Sequence, residues 1–145
     1  MGGNVCFVPL EGGELIDVNV PNPAPGADWV YTIPAGYEMT LLHTFYRLVT
    51  DANLPTRYPM FNLWGVDNFD RVRMKFGTFI GPGAQNNFSL ALGSARADAY
   101  TRNTYHDALP MMRCLTGERW GSATSNLQAG DQYSLIHFLA VRWRV

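Results

Sequence analysis

Residues 127–145, LQAGDQYSLIHFLAVRWRV, combine a turn with a long apolar strand. The turn lies at Ala129-Gly130-Asp131, because Gly tolerates a positive φ and Asp accepts hydrogen bonds from nearby backbone. The segment that follows, Tyr133–Trp143, is largely apolar at both odd and even positions, which is typical of a strand covered on two faces. We therefore predict a central strand whose charged end, Arg142 and Arg144, meets solvent or an acidic partner.

Shorter strands separated by Gly- and Pro-containing turns are predicted upstream. The most ambiguous is Glu38–Thr50, because LLHTFYRLV also fits helical spacing, but its Thr and aromatic content favours a strand. Gly93–Arg102 is small and polar, which indicates a loop or one helical turn. The other predicted strands are Trp29–Ile33, Tyr58–Trp64, Arg71–Phe76, Asn87–Leu92, Pro110–Leu115 and Trp120–Asn126. This succession predicts an all-β fold, an antiparallel, jelly-roll-like β-sandwich over residues 29–145.

Residues 1–28 are interrupted by Gly and Pro throughout, which predicts an extended N-terminal arm in front of that domain. A disordered tail would lack regularly placed apolar residues. Such a segment can lie across a neighbouring surface or add a strand to its edge. The alternative is that it folds back on its own domain. The apolar side chains that would bind a partner are Phe7, Val8, Leu10, Leu15 and Ile16.

The composition of the chain argues against several classes of function. The 145 residues carry a formal net charge of −1, which argues against nonspecific nucleic-acid binding. No apolar run approaches the roughly 20 residues that span a bilayer, and the first residues lack a secretory signal pattern, so we expect no membrane partner. The two cysteines, Cys6 and Cys114, have no metal-binding companion spacing and are predicted to be reduced and packed.

No catalytic constellation is evident, so the sequence predicts neither an enzyme nor a cofactor. The histidines His43, His106 and His137 lack the HxH or HExxH pairing of metal sites, and packed or surface histidines are expected instead. Arg71, Arg73 and Lys75 form a basic stripe on one predicted strand. That stripe could meet single-stranded nucleic acid, but a solvated strand face is the favoured interpretation.

Two segments carry a resemblance. The first is Ile33-Pro34-Ala35-Gly36-Tyr37 with Thr50-Asp51-Ala52 and Arg57, and the second is Leu127-Gln128-Ala129-Gly130-Asp131-Gln132-Tyr133-Ser134. Together they resemble a group of small tailed-bacteriophage virion proteins with the pattern IPAG, TDA and Arg early and AGDQ before the last strand. The matching residues are interpreted as fold determinants, with Gly36 and Gly130 shaping the backbone and Arg57 and Asp131 pinning loops. The chain departs from the group in its last residues, Val141-Arg142-Trp143-Arg144-Val145, where members often end acidic.

The resemblance implies a jelly-roll-like cement (decoration) protein on the capsid surface of a virion, made in the host cytoplasm. It would bind and bridge the major capsid protein as a homo-oligomer, with a trimer favoured and a dimer possible. Each arm would pack its apolar side chains on the shell. The alternatives are a head-completion, neck or tail structural protein, and then a carbohydrate-binding jelly-roll module.

Overall fold

The computed structural model describes residues 12–93 and 103–145. Ten strands and no helix occur in these ranges, so the predicted all-β class is confirmed. The strands are β1 (Glu14–Asn19), β2 (Val30–Thr32), β3 (Tyr37–Val49), β4 (Met60–Trp64), β5 (Asp70–Lys75), β6 (Gln85–Leu92), β7 (Thr104–Leu109), β8 (Arg113–Cys114), β9 (Arg119–Ser122) and β10 (Gln132–Arg144).

The strands form two sheets that pack face to face as a β-sandwich. The larger sheet has the order β1-β10-β3-β6-β7, with β8 also paired to β3, and the smaller sheet has the order β2-β9-β4-β5. Aromatic rings from both sheets fill the space between them. The Tyr46 ring lies 5.0 Å from that of Phe88 in the larger sheet and 5.2 Å from that of Trp29, which precedes β2. The core is therefore an aromatic layer shared by the two sheets.

The strand β10 has a neighbour on each side, β1 and β3, as predicted for the apolar segment that it contains. Its expected strict alternation of faces is wrong, because β-bulges interrupt the pairing of β10 with β3. At one bulge Leu135 is the extra residue; it has a φ of 52° and its side chain is exposed. Tyr133 and Ile136 consequently face the core together, although their spacing would place them on opposite faces of a regular strand.

The antiparallel prediction needs one correction, since β6 and β7 are parallel. The strand β7 was also missed by the sequence prediction, which placed the next strand after Asn87–Leu92 at Pro110–Leu115. A parallel partner requires a crossover connection of about a dozen residues. The segment 93–103 between the two strands supplies that length, and the predicted loop at Gly93–Arg102 falls mostly outside the described residues.

The N-terminal segment enters the larger sheet. Glu14–Asn19 forms β1, which pairs antiparallel with β10, so this part of the chain follows the fold-back alternative. Ile16 packs against the core, whereas Leu15 is exposed. The other residues predicted to bind a partner through the arm, Phe7, Val8 and Leu10, lie outside the described residues.

Candidate functional site

A buried ionic cluster, here called the clamp, joins Asp51, Arg57 and Asp131 at one end of the sandwich. The side chains of Arg57 and Asp131 are both 0% exposed. The Arg57 guanidinium donates from Nε to Asp131 Oδ2 at 2.8 Å and from Nη2 to Asp131 Oδ1 at 2.7 Å, which is a bidentate pair. Its Nη2 also donates to Asp51 Oδ1 at 2.5 Å. The clamp therefore links the loop after β3 to the turn before β10.

The clamp also satisfies backbone groups in both loops. Arg57 Nη1 donates to the carbonyl oxygens of Asn53 and Pro55 at 2.5 and 2.8 Å. The Asp131 carboxylate accepts from the backbone N–H groups of Asp51 and Gln128 at 2.9 and 2.8 Å. Burial acts to raise the pKa of Asp131, but these hydrogen bonds and Arg57 outweigh burial, and that pKa lies below its ordinary value.

The two glycines singled out in the sequence are needed for different reasons, and Gly130 does not have the positive φ considered for its turn. Gly130 lies against the clamp, because a Cβ at this position would be 2.6 Å from Asp51 Oδ2. Gly36 has a φ of 79°, which favours glycine. Three of the four predicted fold determinants thus meet at the clamp: Arg57 and Asp131 bind each other and Gly130 allows their loop to approach Asp51. Gly36 lies apart from them, in the turn before β3.

The clamp positions an open groove on the smaller sheet. Arg57 and Ile80 exchange two backbone hydrogen bonds of 3.0 and 2.9 Å, and Tyr58 N–H donates to Ser125 O at 3.2 Å. Tyr58 and Phe79, the neighbours of these anchored residues, line the groove with their side chains 51% and 66% exposed. The groove has a volume of about 530 Å³, within the range of about 300–1,000 Å³ typical of ligand sites.

The walls of the groove combine apolar and cationic groups. Val72 and Met74 of β5 pack against the core, so Arg73 and Lys75 project from the opposite face. Met60 of β4 is paired with Lys75 and also lines the groove. An anionic ligand with an apolar or aromatic body matches this lining. Sequence reasoning missed Tyr58 and Phe79 as a pair, because the contact between their segments is nonlocal.

The basic stripe predicted on this strand is largely neutralised. A bulge makes Arg71 the extra residue of β5, and its guanidinium pairs with the buried carboxylate of Glu118. Arg73 pairs with Asp70. Lys75 has no carboxylate partner among the residues that the structure describes. Within the described parts of the chain, the stripe therefore leaves one uncompensated cation, Lys75, which lines the groove.

The outer face of the larger sheet brings two of the three histidines together. The rings of His43 and His137 lie 5.6 Å apart, and His43 Nε2 is 3.2 Å from Ser89 Oγ. Burial and the neighbouring His137 lower the pKa of His43. His106 of β7 is paired with Ser89 across the parallel strands. Within residues 12–93 and 103–145, no three His, Cys, Asp or Glu side chains are grouped to hold a metal ion.

Of the two cysteines, Cys114 is a free, buried thiol whose pKa is raised to about 11 by burial and then by Glu118. Cys6 lies outside the described residues. A membrane-spanning helix is not found in the part of the chain that the structure describes. Comparison with protein-family models, with curated proteins and with solved structures finds no match.

Proposed function

We propose that this protein is a structural component of a bacteriophage virion, a cement (decoration) protein that binds and bridges major capsid protein subunits. The observation that carries the proposal is the clamp. The two segments that resemble small phage virion proteins contribute Asp51, Arg57 and Asp131 to it. Motifs that are separate in the sequence thus form one structural unit, as expected if the resemblance extends to the fold.

The surface beside the clamp supports a binding role. Leu54, Tyr58 and Phe79 are exposed at this end of the sandwich. Exposed aromatic side chains on a rigid scaffold are the usual anchors of protein–protein contacts. Stabilisation of a shell would follow from several such contacts made by one homo-oligomer, here proposed to be a trimer. Linking weak contacts raises overall affinity by roughly 10²–10⁴ over a single contact.

Deletion of the gene from the phage that encodes it tests the proposal. We expect heads that lack the protein to lose integrity at a lower temperature and to regain it when the purified protein is added. The copy number per particle, measured by mass spectrometry, should match that of the capsid subunits or a simple fraction of it. A copy number that suffices for only a single ring per particle would instead assign the protein to the neck or tail. Absence of the protein from the particle would overturn a virion role.

A further inference from the structure

We propose that an extended acidic segment of the shell protein adds as a strand to the open edge of β5 and inserts an apolar side chain into the neighbouring groove between Tyr58 and Phe79. This inference rests on the proposed function and specifies which surface of the protein makes the contact. Three features of the described residues carry it: an open strand edge, an uncompensated cation and a pair of exposed aromatic residues whose backbone segments are joined at the clamp.

The strand β5 is the last strand of the smaller sheet. Its only strand partner in the described parts of the chain is β4, so the opposite edge presents unpaired backbone N–H and C=O groups. Such an edge is a template for an incoming extended segment, whose backbone bonds supply affinity while side-chain pockets supply specificity. The groove opens on the outer face next to this edge: Arg73 and Lys75 of β5 line one side of it, and Tyr58 and Met60 line the side towards β4. A side chain of the added segment that reaches across β5 can therefore enter it.

The charge of the groove selects the sign of the partner. Lys75 is exposed and lacks a carboxylate partner among the described side chains, and Arg73 is shared with Asp70. Two copies of β5 paired antiparallel about Arg73 would place the two Arg73 side chains opposite each other, so that contact between copies would lack charge complementarity. An acidic side chain placed opposite Lys75 would instead form an ion pair at the rim of the contact.

The aromatic rings stand on a preorganised loop. Phe76 packs on Phe88 at a ring distance of 4.8 Å, Thr78 Oγ1 lies 3.2 Å from the hydroxyl oxygen of Tyr105, and Ile80 is bonded to Arg57. Phe79 lies between these anchored residues and yet points outward. The backbone around Phe79 is therefore fixed before binding, so little loop entropy is lost when an apolar side chain packs beside the ring.

Co-sedimentation of the purified protein with heads that lack it tests the groove. A double variant, Tyr58→Ala with Phe79→Ala, should weaken binding about tenfold or more. Lys75→Glu should weaken it most at low salt, and added salt should partly restore it, because salt screens the new repulsion between like charges. Phe69→Ala is the matched aromatic control, because Phe69 is 75% exposed beside the other end of β5. Arg144→Glu, on the larger sheet, is the charge control. All four variants alter exposed side chains and should keep the thermal midpoint of the unaltered protein.

The outcomes separate this inference from the function on which it rests. Loss of binding in the groove variants, with both controls intact, supports the groove. Equal binding by the unaltered protein and the groove variants overturns the groove and leaves the virion role standing. No binding by the unaltered protein overturns both. A fourth outcome would assign the groove to carbohydrate and overturn the peptide partner. In that case the unaltered protein binds a glycan array, the double variant does not, and the double variant still binds heads as well as the unaltered protein does.

Discussion

Arg57 is the single residue whose replacement we expect to cost the most stability. In Arg57→Met, the buried carboxylate of Asp131 would keep its backbone donors but lose its cation. Removing one partner of a buried ion pair destabilises by about 3–5 kcal/mol, because the remaining charge is uncompensated. Urea denaturation followed by circular dichroism should therefore show a much lower midpoint with an unchanged slope.

The matched control is Arg73→Met, which breaks an ion pair at the surface. The side chain of Arg73 is 51% exposed, and such pairs contribute up to about 1 kcal/mol. The clamp interpretation requires a clear difference between the two variants. Equal, small losses of stability in the two variants would mean that Arg57 is dispensable for folding. The match of Arg57 to the phage virion pattern would then need another explanation.

The clamp also predicts how stability depends on pH. The pKa of Asp131 lies below its ordinary value of 3.8, despite burial, because Arg57 and backbone donors bind the ionised form. A carboxyl whose pKa is depressed by folding stabilises the protein fully above its unfolded pKa, and this contribution is lost as the pH falls through the folded pKa. The urea midpoint should therefore drop below about pH 4. Asp131→Asn, although less stable at neutral pH, should show a shallower acid decline.

Asp28 acts in the opposite direction and must be separated from this effect. Burial raises the pKa of Asp28, so protonation of this residue on acidification favours the folded protein. Asp28 is present in both proteins and its contribution largely cancels when they are compared. Parallel acid profiles for the unaltered protein and Asp131→Asn would contradict the assignment of acid sensitivity to the clamp.

Single residues show how far sequence reasoning reaches at this scale. Gly130 and Asp131 stood out because turn chemistry is local and is visible in the residue types themselves, whereas Arg57 was singled out only by the resemblance. The partner of each polar group was not visible, since Arg57 and Asp131 are far apart in the chain and meet only through the sheet. Phe79 was missed for the related reason that an apolar residue between two glycines indicates neither burial nor exposure.

At the scale of strands, the bulge at Leu135 gives a prediction that runs against the usual effect of mutation. Leu135 has a φ of 52° and is 55% exposed, so it bears the cost of a left-handed backbone without the gain of full burial. A non-glycine residue in this region costs about 1–2 kcal/mol. Leu135→Gly should therefore leave the free energy of unfolding nearly unchanged, because relief of this cost roughly offsets the lost half-burial of the side chain and the larger backbone entropy that Gly loses on folding.

The matched control is Leu15→Gly. Leu15 is an exposed leucine in β1, and it is not among the residues with a positive φ. There, glycine removes only side-chain contacts and adds backbone entropy to the unfolded chain, so stability should fall. A loss of stability at both positions would show that Leu135 is not strained in the folded protein.

Strands were predicted well wherever alternation is regular. The pattern of Arg71–Phe76 predicted a half-exposed strand, and Val72, Met74 and Phe76 do pack against the core. The bulges in β10 and β5 were not predictable, because an extra residue leaves no mark in the sequence and yet reverses the faces beyond it. The same limit applies to β7, whose residues Thr104–Leu109 mix polar and apolar types without a clear period.

At the scale of the whole molecule, strand content and turn spacing predicted a sandwich but not its strand order. The larger sheet places β1 beside β10, joining segments from opposite ends of the sequence. Such pairing is set by which edges and apolar faces remain available once the other strands have associated, and no local pattern encodes it. The groove shares this property, since it exists only when β4, β5 and the segment around Ser125 lie together.

This strand order makes a last prediction, which separates folding from docking in the N-terminal segment. Deleting residues 1–20 removes β1 and the partly buried side chains Ile16, Val18 and Val20, whereas deleting residues 1–12 leaves β1 complete. Half-burial of three aliphatic side chains contributes roughly 3 kcal/mol, so the longer deletion should unfold at a clearly lower temperature than the shorter one. It should also tend to aggregate, because the edge of β10 becomes open.

The same deletions test docking. If Phe7, Val8 and Leu10 contact the shell, as the resemblance implies, the shorter deletion should weaken binding to heads while keeping its thermal midpoint above that of the longer deletion. Equal midpoints for the two deletions would show that β1 does not support the fold, and full binding by the shorter one would exclude a docking role for residues 1–12.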